Sequence, residues 1–388
     1  MSRAASLVMA VACGLTVANI YYNQPLLGIL TAEFGPALVG YVPTATQVGY
    51  MLGILTLVPL GDRTDRRTLI VAQSVVLAGA LAIAATAPSA AVLLAASLLV
   101  GIASTVPQQI IPLAAVLASP ERRGRVIGTV MSGLLCGILL ARTVAGAVGA
   151  HQGWRAVFWL AIVLALGTAA VMAATLPSRP PKLRLSYAQL VASTAALARD
   201  EPRLRVAAAT QMLLFGSFSV FWTVLALHLE RPPFGLGADA AGLFGLVGAA
   251  GALVAPLAGH VADRRGPRFG IGVCIALAVA AWGVLLIAPH SLPALVLGVV
   301  LLDAGVQGAM IGAQHVVFAL RPDARNRVNT VLVSAVFGGG SIGSAASVLA
   351  WQSGGWIAVC RLGAAFAGAA AVLHACTGPG GVKRPSAA

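Results

Sequence analysis

The chain repeats part of its own sequence at one constant spacing. Eight residues return 202 positions later, namely Pro120, Arg123, Arg125, Val126, Gly137, Gly153, Trp154 and Val157 as Pro322, Arg325, Arg327, Val328, Gly339, Gly355, Trp356 and Val359. This spacing is far longer than the roughly 20 to 50 residues of solenoid and propeller repeats. The repeat therefore predicts a fold made of two equivalent halves.

The composition places those halves in a membrane. Of the 388 residues, 59% are hydrophobic and 9% are charged, whereas an average soluble domain carries about 25% charged residues. The apolar residues form runs of about 20, the length of a helix that crosses a bilayer core. Twelve runs can be drawn, at 6–30, 39–60, 69–87, 91–118, 126–149, 154–176, 206–229, 240–262, 269–288, 292–319, 328–350 and 354–375. The sequence thus predicts an all-α membrane protein with twelve transmembrane helices in two pseudo-symmetric six-helix bundles.

The predicted bundles occupy residues 1–176 and 206–376, with a linker at 177–205 and a tail at 377–388. Within the linker, Ser186 is a candidate N-cap, and apolar side chains recur after it at helical spacing. This pattern predicts a short amphipathic helix on the membrane surface.

Glycines four residues apart occur in both halves. The clearest pairs are Gly133–Gly137 and Gly339–Gly343. Small residues at this spacing let two membrane helices approach closely, so both pairs predict tight helix contacts.

The net charge of +14 follows the predicted topology. Of the 25 basic residues, 21 lie in the linker, near the two termini, or in the connections after runs 2, 4, 8 and 10. These connections share one face of the membrane, and the opposite loops hold only Arg155 and Arg231. Such an asymmetry places the basic loops and both termini in the cytoplasm. It predicts a multi-pass protein of the bacterial inner membrane and gives no indication of a nucleic-acid partner.

One loop in each half carries a recognisable motif. The segment Gly259–Arg268 reads G-x-x-x-D-R-x-G-x-R, and the first-half copy at Val58–Arg67 keeps the acidic and basic positions. The first-half copy departs from the motif at both glycines, which are Val58 and Asp65 here. With its twelve helices in two halves, the whole chain resembles the major facilitator superfamily. Segments 19–25 and 302–308 are similar to a bacterial efflux-type branch that includes drug and sugar exporters.

The resemblance implies a gate on the cytoplasmic side. An aspartate at the end of one helix can bind arginines and helix N-termini of the facing half when that side is closed. The alternative is that the arginines serve only to set the topology. The implied gate residues are Asp62, Arg63, Arg66, Arg67, Arg123, Arg125, Asp263, Arg264, Arg268, Arg325 and Arg327.

Asp303 is the one acidic residue deep inside a predicted helix. It lies about 16 Å into run 10 by helical rise, close to the bilayer midplane. The helical period places Asp303, Gln307 and Gln314 on one face, with Gly305 and Gly312 on the opposite face. Intramembrane charges usually face the bundle interior and serve function. We therefore predict that Asp303 takes up and releases a coupling proton; the alternative is a structural aspartate bonded to another helix.

Arg142 is the other charge placed deep within a predicted helix, nearer the outer leaflet in run 5. Antiporters of the superfamily carry G-x-x-x-G-P-x-x-G-G in this helix; here Gly133 and Gly137 fit, whereas Ile138 and Ala141-Arg142 replace the later positions. Three roles stay open for Arg142. It binds an anionic substrate group, pairs with a carboxylate or carbonyls inside the bundle, or reaches outward along the membrane.

Uncharged polar residues are concentrated in runs 1, 4, 7 and 10. The resemblance implies that these four helices line a central cavity, so their amides are candidate substrate ligands. The alternatives are hydrogen bonding between helices and, for the tyrosines, anchoring at the membrane interface. The cavity candidates are Asn19, Tyr22, Asn23, Gln24, Gln108, Gln109, Arg142, Gln211, Trp222, Gln307 and Gln314.

The sequence as a whole predicts a secondary active transporter. It would export a small organic molecule against protons by alternating access, as a monomer in the lipid bilayer. Two alternatives stay open: an uptake or facilitated-diffusion permease for an organic anion, and a non-transporting membrane sensor. The sequence shows no G-x-x-x-x-G-K-[ST] loop for ATP, and no paired acid–base groups or metal spacing that would favour an enzyme, a metal site or a cofactor.

Overall fold

The structure is a computed structural model that describes residues 3–61, 63–178, 186–321 and 324–377, with the side chains of residues 120 and 252–265 outside the description. Within these ranges the regular structure is helical. The helices are α1 (Arg3–Ala18), α2 (Asn23–Phe34), α3 (Pro36–Val39), α4 (Val42–Leu60), α5 (Arg66–Ala85), α6 (Ala90–Ala103), α7 (Pro107–Leu117), α8 (Arg123–Gln152), α9 (Trp154–Thr175), α10 (Tyr187–Asp200), α11 (Pro202–Glu230), α12 (Ala238–Arg265), α13 (Pro267–Ile287), α14 (Leu292–Leu320) and α15 (Arg325–Cys376).

These helices make twelve membrane spans in the part of the chain that the structure describes. Ten segments are long and apolar enough to cross a bilayer, with α1–α2, α3–α4 and α6–α7 each counted as one segment. The last segment, α15, is two spans, because its backbone leaves the helical region at Gly354 and Gly355. Helix α12, 28 residues long, is the remaining span. The predicted all-α fold with twelve transmembrane helices is confirmed.

The helices pack into two compact units. The first unit runs to Val191 and also includes Trp222–Leu246; the second contains Ala192–Phe221 and the chain from Val247 onward. Helix α11 is therefore shared, and its end from Trp222 packs with the first half of the chain.

Inside the first unit, α1 and α8 meet at a seam of glycines. A Cβ added to Gly133 would lie 2.2 Å from the Ala10 carbonyl oxygen, and one added to Gly137 would lie 2.2 Å from the Gly14 oxygen. These separations are far below van der Waals contact, so the two backbones touch only because side chains are missing there. The tight contact predicted from the spacing of Gly133 and Gly137 is confirmed.

The second unit contains the matching seam between α11 and α15. A Cβ on Gly343 would fall 2.2 Å from the Gly216 oxygen, and one on Gly339 would fall 1.9 Å from the Met212 oxygen. Helix α14 packs on α13 in the same manner, since a Cβ on Gly305 would lie 2.5 Å from the Cys274 oxygen. The duplicated sequence thus encodes a duplicated mode of packing.

The repeated Gly-Trp pairs form the same turn in both halves. Gly153 has a φ of 84° and Gly355 a φ of 58°, values that glycine adopts without steric cost. The following tryptophans are buried in different ways. Trp154 donates to Glu33 Oε2 at 2.6 Å, and Trp356 donates to the Leu285 oxygen at 3.3 Å. The turn is conserved between the halves, whereas its polar partner is not.

The linker contains the predicted amphipathic helix, α10. Ser186 Oγ accepts from the Gln189 amide at 3.2 Å, while Gln189 Oε1 accepts from the Ser186 amide at 2.8 Å. This reciprocal pair is a capping box that fixes the start of the helix. Leu190 and Leu197 lie on the buried side of α10, and Leu197 packs in an apolar cluster of the second unit with Leu204 and neighbouring side chains.

Candidate functional site

The first span is interrupted at Asn19–Tyr22, between α1 and α2. Pro25 has no N–H with which to bond the Tyr21 carbonyl four residues earlier. The Gln24 amide donates to that carbonyl instead, at 3.3 Å, and the Ile20 amide also bonds three residues back, at 3.1 Å. The backbone is therefore wound more tightly than an α-helix over this turn. The break therefore lies on the N-terminal side of Pro25, which is inside the first turn of α2.

The fourth span is interrupted in the same way at Ser104–Val106, between α6 and α7. Pro107 begins α7, and the Gln108 amide donates to the Thr105 oxygen at 3.0 Å. Both breaks lie in the first unit. Discontinuous helices at membrane depth usually border a substrate or ion site, because the freed polar groups need a polar surrounding.

Two asparagines mark the first break. Asn19 and Asn23 are each 4% exposed. The Asn19 amide nitrogen donates to the Leu15 and Thr16 oxygens at 2.9 and 3.1 Å. The Asn23 amide nitrogen donates to Thr46 Oγ1, on α4, at 2.8 Å. The carbonyl oxygens of both side chains are buried and have no hydrogen-bond donor among the described residues.

Glutamines at the second break bind α4. Gln108 Nε2 donates to the Tyr50 hydroxyl at 3.2 Å, and Gln109 Nε2 donates to the Leu57 oxygen at 2.8 Å. The Leu57 carbonyl needs a donor near the helix end, because the Gly61 amide bonds Val58 instead. Gln109 therefore joins two helices, which favours hydrogen bonding between helices as its role.

Arg142 lies in α8 with only 2% of its surface exposed. Its Nε donates to Gln24 Oε1 at 2.7 Å. The guanidinium carbon lies 4.6 Å from the centre of the Tyr21 ring and 4.0 Å from that of the Trp222 ring. Arg142 thus fastens α8 to the broken first span and to the end of α11 within the first unit.

Burial excludes a position at the membrane surface for the side chains of Arg142, Tyr21 and Tyr22. Arg142 cannot reach outward to the membrane surface, because it is enclosed. Tyr21 and Tyr22 are each 5% exposed, so neither can serve as an anchor in the lipid interface. All three side chains face the interior of the first unit.

Close backbone packing surrounds Arg142. Gly146 and Gly242 are in direct contact, since a Cβ on Gly242 would lie 3.1 Å from the Gly146 Cα and 2.7 Å from the Arg142 oxygen. Thr143 Oγ1 also donates to the Gly242 oxygen at 3.0 Å. Helices α8 and α12 therefore meet without intervening side chains at this level.

Asp303 lies in the middle part of α14 and is 2% exposed. A Cβ on Gly251 would fall 2.7 Å from the Val300 oxygen and 3.0 Å from the Asp303 Cβ. Helix α12 therefore passes directly over the turn that carries the aspartate. Among the acidic residues whose side chains are described, Asp303 is the one that is buried.

The other candidates of the second unit differ in burial. Gln211, on α11, is 1% exposed, and its amide nitrogen has no acceptor among the described residues. Gln307 and Gln314 follow Asp303 on α14 and are half-buried. No described contact joins these glutamines to Asp303.

The loop arginines at the ends of the two motifs contact their own halves. Arg67 donates through Nη2 to the Ala173 oxygen in the last turn of α9. Arg268, in the corresponding position, donates to the His374 and Thr377 oxygens at the end of α15. Positive groups stabilise helix C-termini, so this pair binds span 6 in one half and span 12 in the other.

The comparison with known proteins decides the family. The family model of the Major Facilitator Superfamily matches residues 9–268 and 207–387, which together cover nearly the whole chain. The chain belongs to the major facilitator superfamily. It is 42% identical over 369 residues to the uncharacterized transporter YgaY of Escherichia coli O157:H7, covering 95% of this chain and 94% of that protein.

Solved structures of the superfamily share the fold. A bacterial homologue of the human lysosomal transporter Spinster, in its inward-facing and occupied conformation, superposes with a TM-score of 0.79 at 15% identity, over 99% of this chain and 98% of that one. The nucleoside transporter NupG gives a TM-score of 0.75 at 15% identity, over 96% and 98% of the two chains. The family model and the relative described as a transporter show that the protein is a membrane transporter of this superfamily and not an enzyme.

Other superfamily gate positions are placed as follows. Asp62 and the side chains of Asp263 and Arg264 lie outside the described residues. Arg66 Nε donates to the Gly61 oxygen at 3.0 Å. The other predicted gate arginines are exposed or half-buried, namely Arg63, Arg123, Arg125, Arg325 and Arg327. The gate role of these residues stays a prediction.

Asp65 explains one departure from the superfamily motif. Where the second half has Gly266 with a φ of 92°, the first half has Asp65 as the N-cap of α5, accepting from the Arg67 amide at 3.1 Å. The same carboxylate accepts from Ser178 Oγ at 2.6 Å. An aspartate can replace the glycine because it starts the helix with a side-chain cap instead of a left-handed backbone.

Sequence reasoning missed several polar partners in spans 2 to 4. Thr46 and Tyr50 receive the amides of Asn23 and Gln108, and Thr105 Oγ1 accepts from Gln73 Nε2 at 3.0 Å. Other polar residues stand next to them in otherwise apolar runs, such as Gln47 beside Thr46 and Ser104 beside Thr105, so the local pattern does not single out the residue that binds another helix. Their hydrogen bonds to other spans form only when the helices pack, so their role is visible only in the structure.

Proposed function

We propose that this transporter exports a small organic molecule in exchange for protons by alternating access of its two six-helix halves. The observation that carries the proposal is Asp303, a buried carboxyl group deep in the tenth span. An ionisable side chain at that depth is costly and is retained in membrane proteins mainly for function. Proton binding removes the charge, and so changes which state of the transporter is favoured.

The proposed substrate site includes the polar residues at the first interrupted span, namely Asn19, Tyr22 and Asn23. A substrate role for Gln211 and Gln307 stays a prediction from the resemblance to the superfamily. We place the protein in a bacterial inner membrane, with its basic loops and both termini on the cytoplasmic side. The distribution of arginines supports this orientation. In this orientation the motif loops would form the cytoplasmic gate.

Transport in proteoliposomes tests the proposal. The purified protein is reconstituted, a pH gradient is imposed, and uptake of uncharged polyols, amphipathic cations and organic acids is followed. Proton-coupled export predicts accumulation in vesicles whose lumen is acidic and whose protein presents its cytoplasmic face outward. Equal uptake with and without the gradient, for every class that is transported, would contradict proton coupling.

The variant Asp303→Asn tests the proton-coupling role of the carboxyl group. We expect gradient-driven accumulation to fall at least tenfold, while exchange of labelled for unlabelled substrate continues, because exchange needs no net proton movement. Asp200→Asn is the control, since Asp200 is an exposed aspartate at the end of α10. Undiminished driven transport in Asp303→Asn would remove Asp303 from the mechanism.

A second candidate function is a permease for organic anions. The buried guanidinium of Arg142, flanked by Tyr21 and Trp222, is the observation that favours it. In that case Arg142→Gln would weaken the binding of organic acids at least tenfold. An Arg142→Gln variant with unaltered preference and affinity for acids would exclude the anion permease.

A further inference from the structure

We infer that the break in the first span is a subsite for uncharged hydrogen-bond donors, namely hydroxyl or amide N–H groups of the transported molecule. The inference rests on the proposed transport function and adds the chemistry of the substrate. It is carried by the two asparagine side chains at the break, whose nitrogen atoms are used by the protein and whose oxygen atoms are not.

The orientation of the Asn19 amide is fixed by its neighbours. Its nitrogen donates to the Leu15 and Thr16 backbone oxygens, and backbone oxygens can only accept. The nitrogen must therefore point toward the end of α1. Because the amide group is planar, the Asn19 oxygen points away from that helix end.

The orientation of the Asn23 amide is fixed in a similar manner. Thr46 Oγ1 donates its own hydrogen to the Val42 oxygen at 3.0 Å, so toward Asn23 it must act as an acceptor. The Asn23 nitrogen therefore faces Thr46 at 2.8 Å. The Asn23 oxygen is turned away from α4.

Both oxygen atoms are buried acceptors without a donor among the described residues. Native proteins satisfy almost all buried polar groups, and each exception calls for a specific explanation. A third such atom, Gln73 Oε1, belongs to the side chain that binds Thr105 at the second break. Unsatisfied acceptors thus gather at both interrupted spans of the first unit, where a donor-bearing molecule would satisfy them.

Arg142 restricts the charge of that molecule. Gln24, the residue after Asn23, holds the guanidinium at 2.7 Å, and a guanidinium stays protonated in proteins. A fixed positive charge bound to residues of the same break disfavours a cationic ligand there. The Tyr21 and Trp222 rings next to Arg142 add apolar surface. An uncharged molecule with several donors and an apolar face fits this combination.

Ordered water is the competing occupant, since water also satisfies buried acceptors. Matched probes separate the two possibilities. Binding to the purified protein in lipid nanodiscs is measured by calorimetry for phenyl β-glucoside, for its fully O-methylated derivative, and for benzyltrimethylammonium. The glucoside has hydroxyl donors, the methylated derivative has the same ring system without them, and the third probe is a cation.

We expect the glucoside to bind at least tenfold more tightly than its methylated derivative, and the cation to bind more weakly still. In Asn19→Leu and Asn23→Leu, the preference for the glucoside should fall below threefold. Gln152→Leu, which removes an exposed amide at the end of α8, should keep the full preference. Thr46→Val, which takes the acceptor away from the Asn23 nitrogen, should give an intermediate preference.

Equal binding of the glucoside and its methylated derivative by the unaltered protein would overturn the inference, as would failure of the glucoside to bind. Both results are independent of whether the variants fold. A preference that survives in both asparagine variants would assign the acceptors to water. If the preference behaves as expected but no pH gradient drives transport, the proposed proton coupling fails and the subsite stands.

Discussion

At the scale of single residues, the contact between Gln24 and Arg142 is the one whose energetic sign is clearest. We expect Gln24→Leu to lower the free energy of unfolding by about 2 kcal/mol, because a buried charged donor loses its acceptor. The double variant Gln24→Leu/Arg142→Met should recover part of that loss, since removing both partners leaves no unsatisfied group. Unfolding in mixed micelles, followed by tryptophan fluorescence, measures both effects.

The matched control uses another arginine of α8. Arg125 is exposed, so Arg125→Met should add independently to the effect of Gln24→Leu. Purely additive energies for the Gln24 and Arg142 pair would show that their hydrogen bond does not stabilise the protein.

The same residues show what local sequence could and could not predict. Helical spacing was sufficient to put Asp303 deep in its span and Gly305 on the side that packs, because both depend only on rise and rotation along one helix. The partners of Arg142 were not predictable, since Gln24 and Trp222 lie far away in the sequence and meet it only after the helices pack. For the same reason, the sequence alone left three roles open for Arg142.

At the scale of helices, the glycine seam between α1 and α8 predicts a contrast within one helix. Gly137→Ala places a methyl group 2.2 Å from the Gly14 oxygen, so we expect a loss of about 1 to 3 kcal/mol from overpacking. Gly128→Ala, also in α8, has no atom within 4 Å of the added Cβ. It should be neutral or stabilise by about 0.5 to 1 kcal/mol through lower chain entropy in the unfolded state. Thermal unfolding of both variants checks the contrast, and equal destabilisation would contradict it.

The arginines at the two motif ends give a second prediction for helices. Arg67→Met and Arg268→Met each remove a cation from a helix C-terminus, at α9 and α15 respectively. We expect each to cost about 1 kcal/mol, with Arg63→Met, at an exposed position, as the neutral control. Accessibility labelling measures how often the protein is open to the cytoplasm and how often to the other side. If both variants keep full stability but change that ratio, the gate role would replace the capping role.

Helix boundaries and breaks were predictable to different degrees. Pro25 and Pro107 indicate an interruption of the helix in the first and fourth spans, because proline removes a backbone donor. Which side of the proline unwinds depends on the alternative bonds available, and here the three-residue bonds before Pro25 decide it. The turn at Gly355 was predictable from its repeat partner Gly153, since both positions use the same left-handed backbone.

At the scale of the whole molecule, the proposed proton coupling and the proposed subsite together set a charge balance. If Asp303, the one buried carboxyl among the described acidic side chains, carries the coupling proton, one proton would move per cycle, and the acceptors at the first break would select an uncharged substrate. Exchange of one proton for one neutral molecule moves one net charge across the membrane. A membrane potential should then drive transport without any pH gradient, at about 2.3 kcal/mol per 100 mV.

A potassium diffusion potential set with valinomycin in the proteoliposomes tests this charge movement at equal pH on both sides. We expect the potential that draws positive charge in the direction of proton entry to accelerate substrate movement the opposite way, and the reversed potential to slow it. Asp303→Asn should abolish the response, because its side chain carries no proton between the two sides. Transport that responds to a pH gradient but not to the potential would mean that the substrate carries the compensating charge, and would contradict an uncharged substrate.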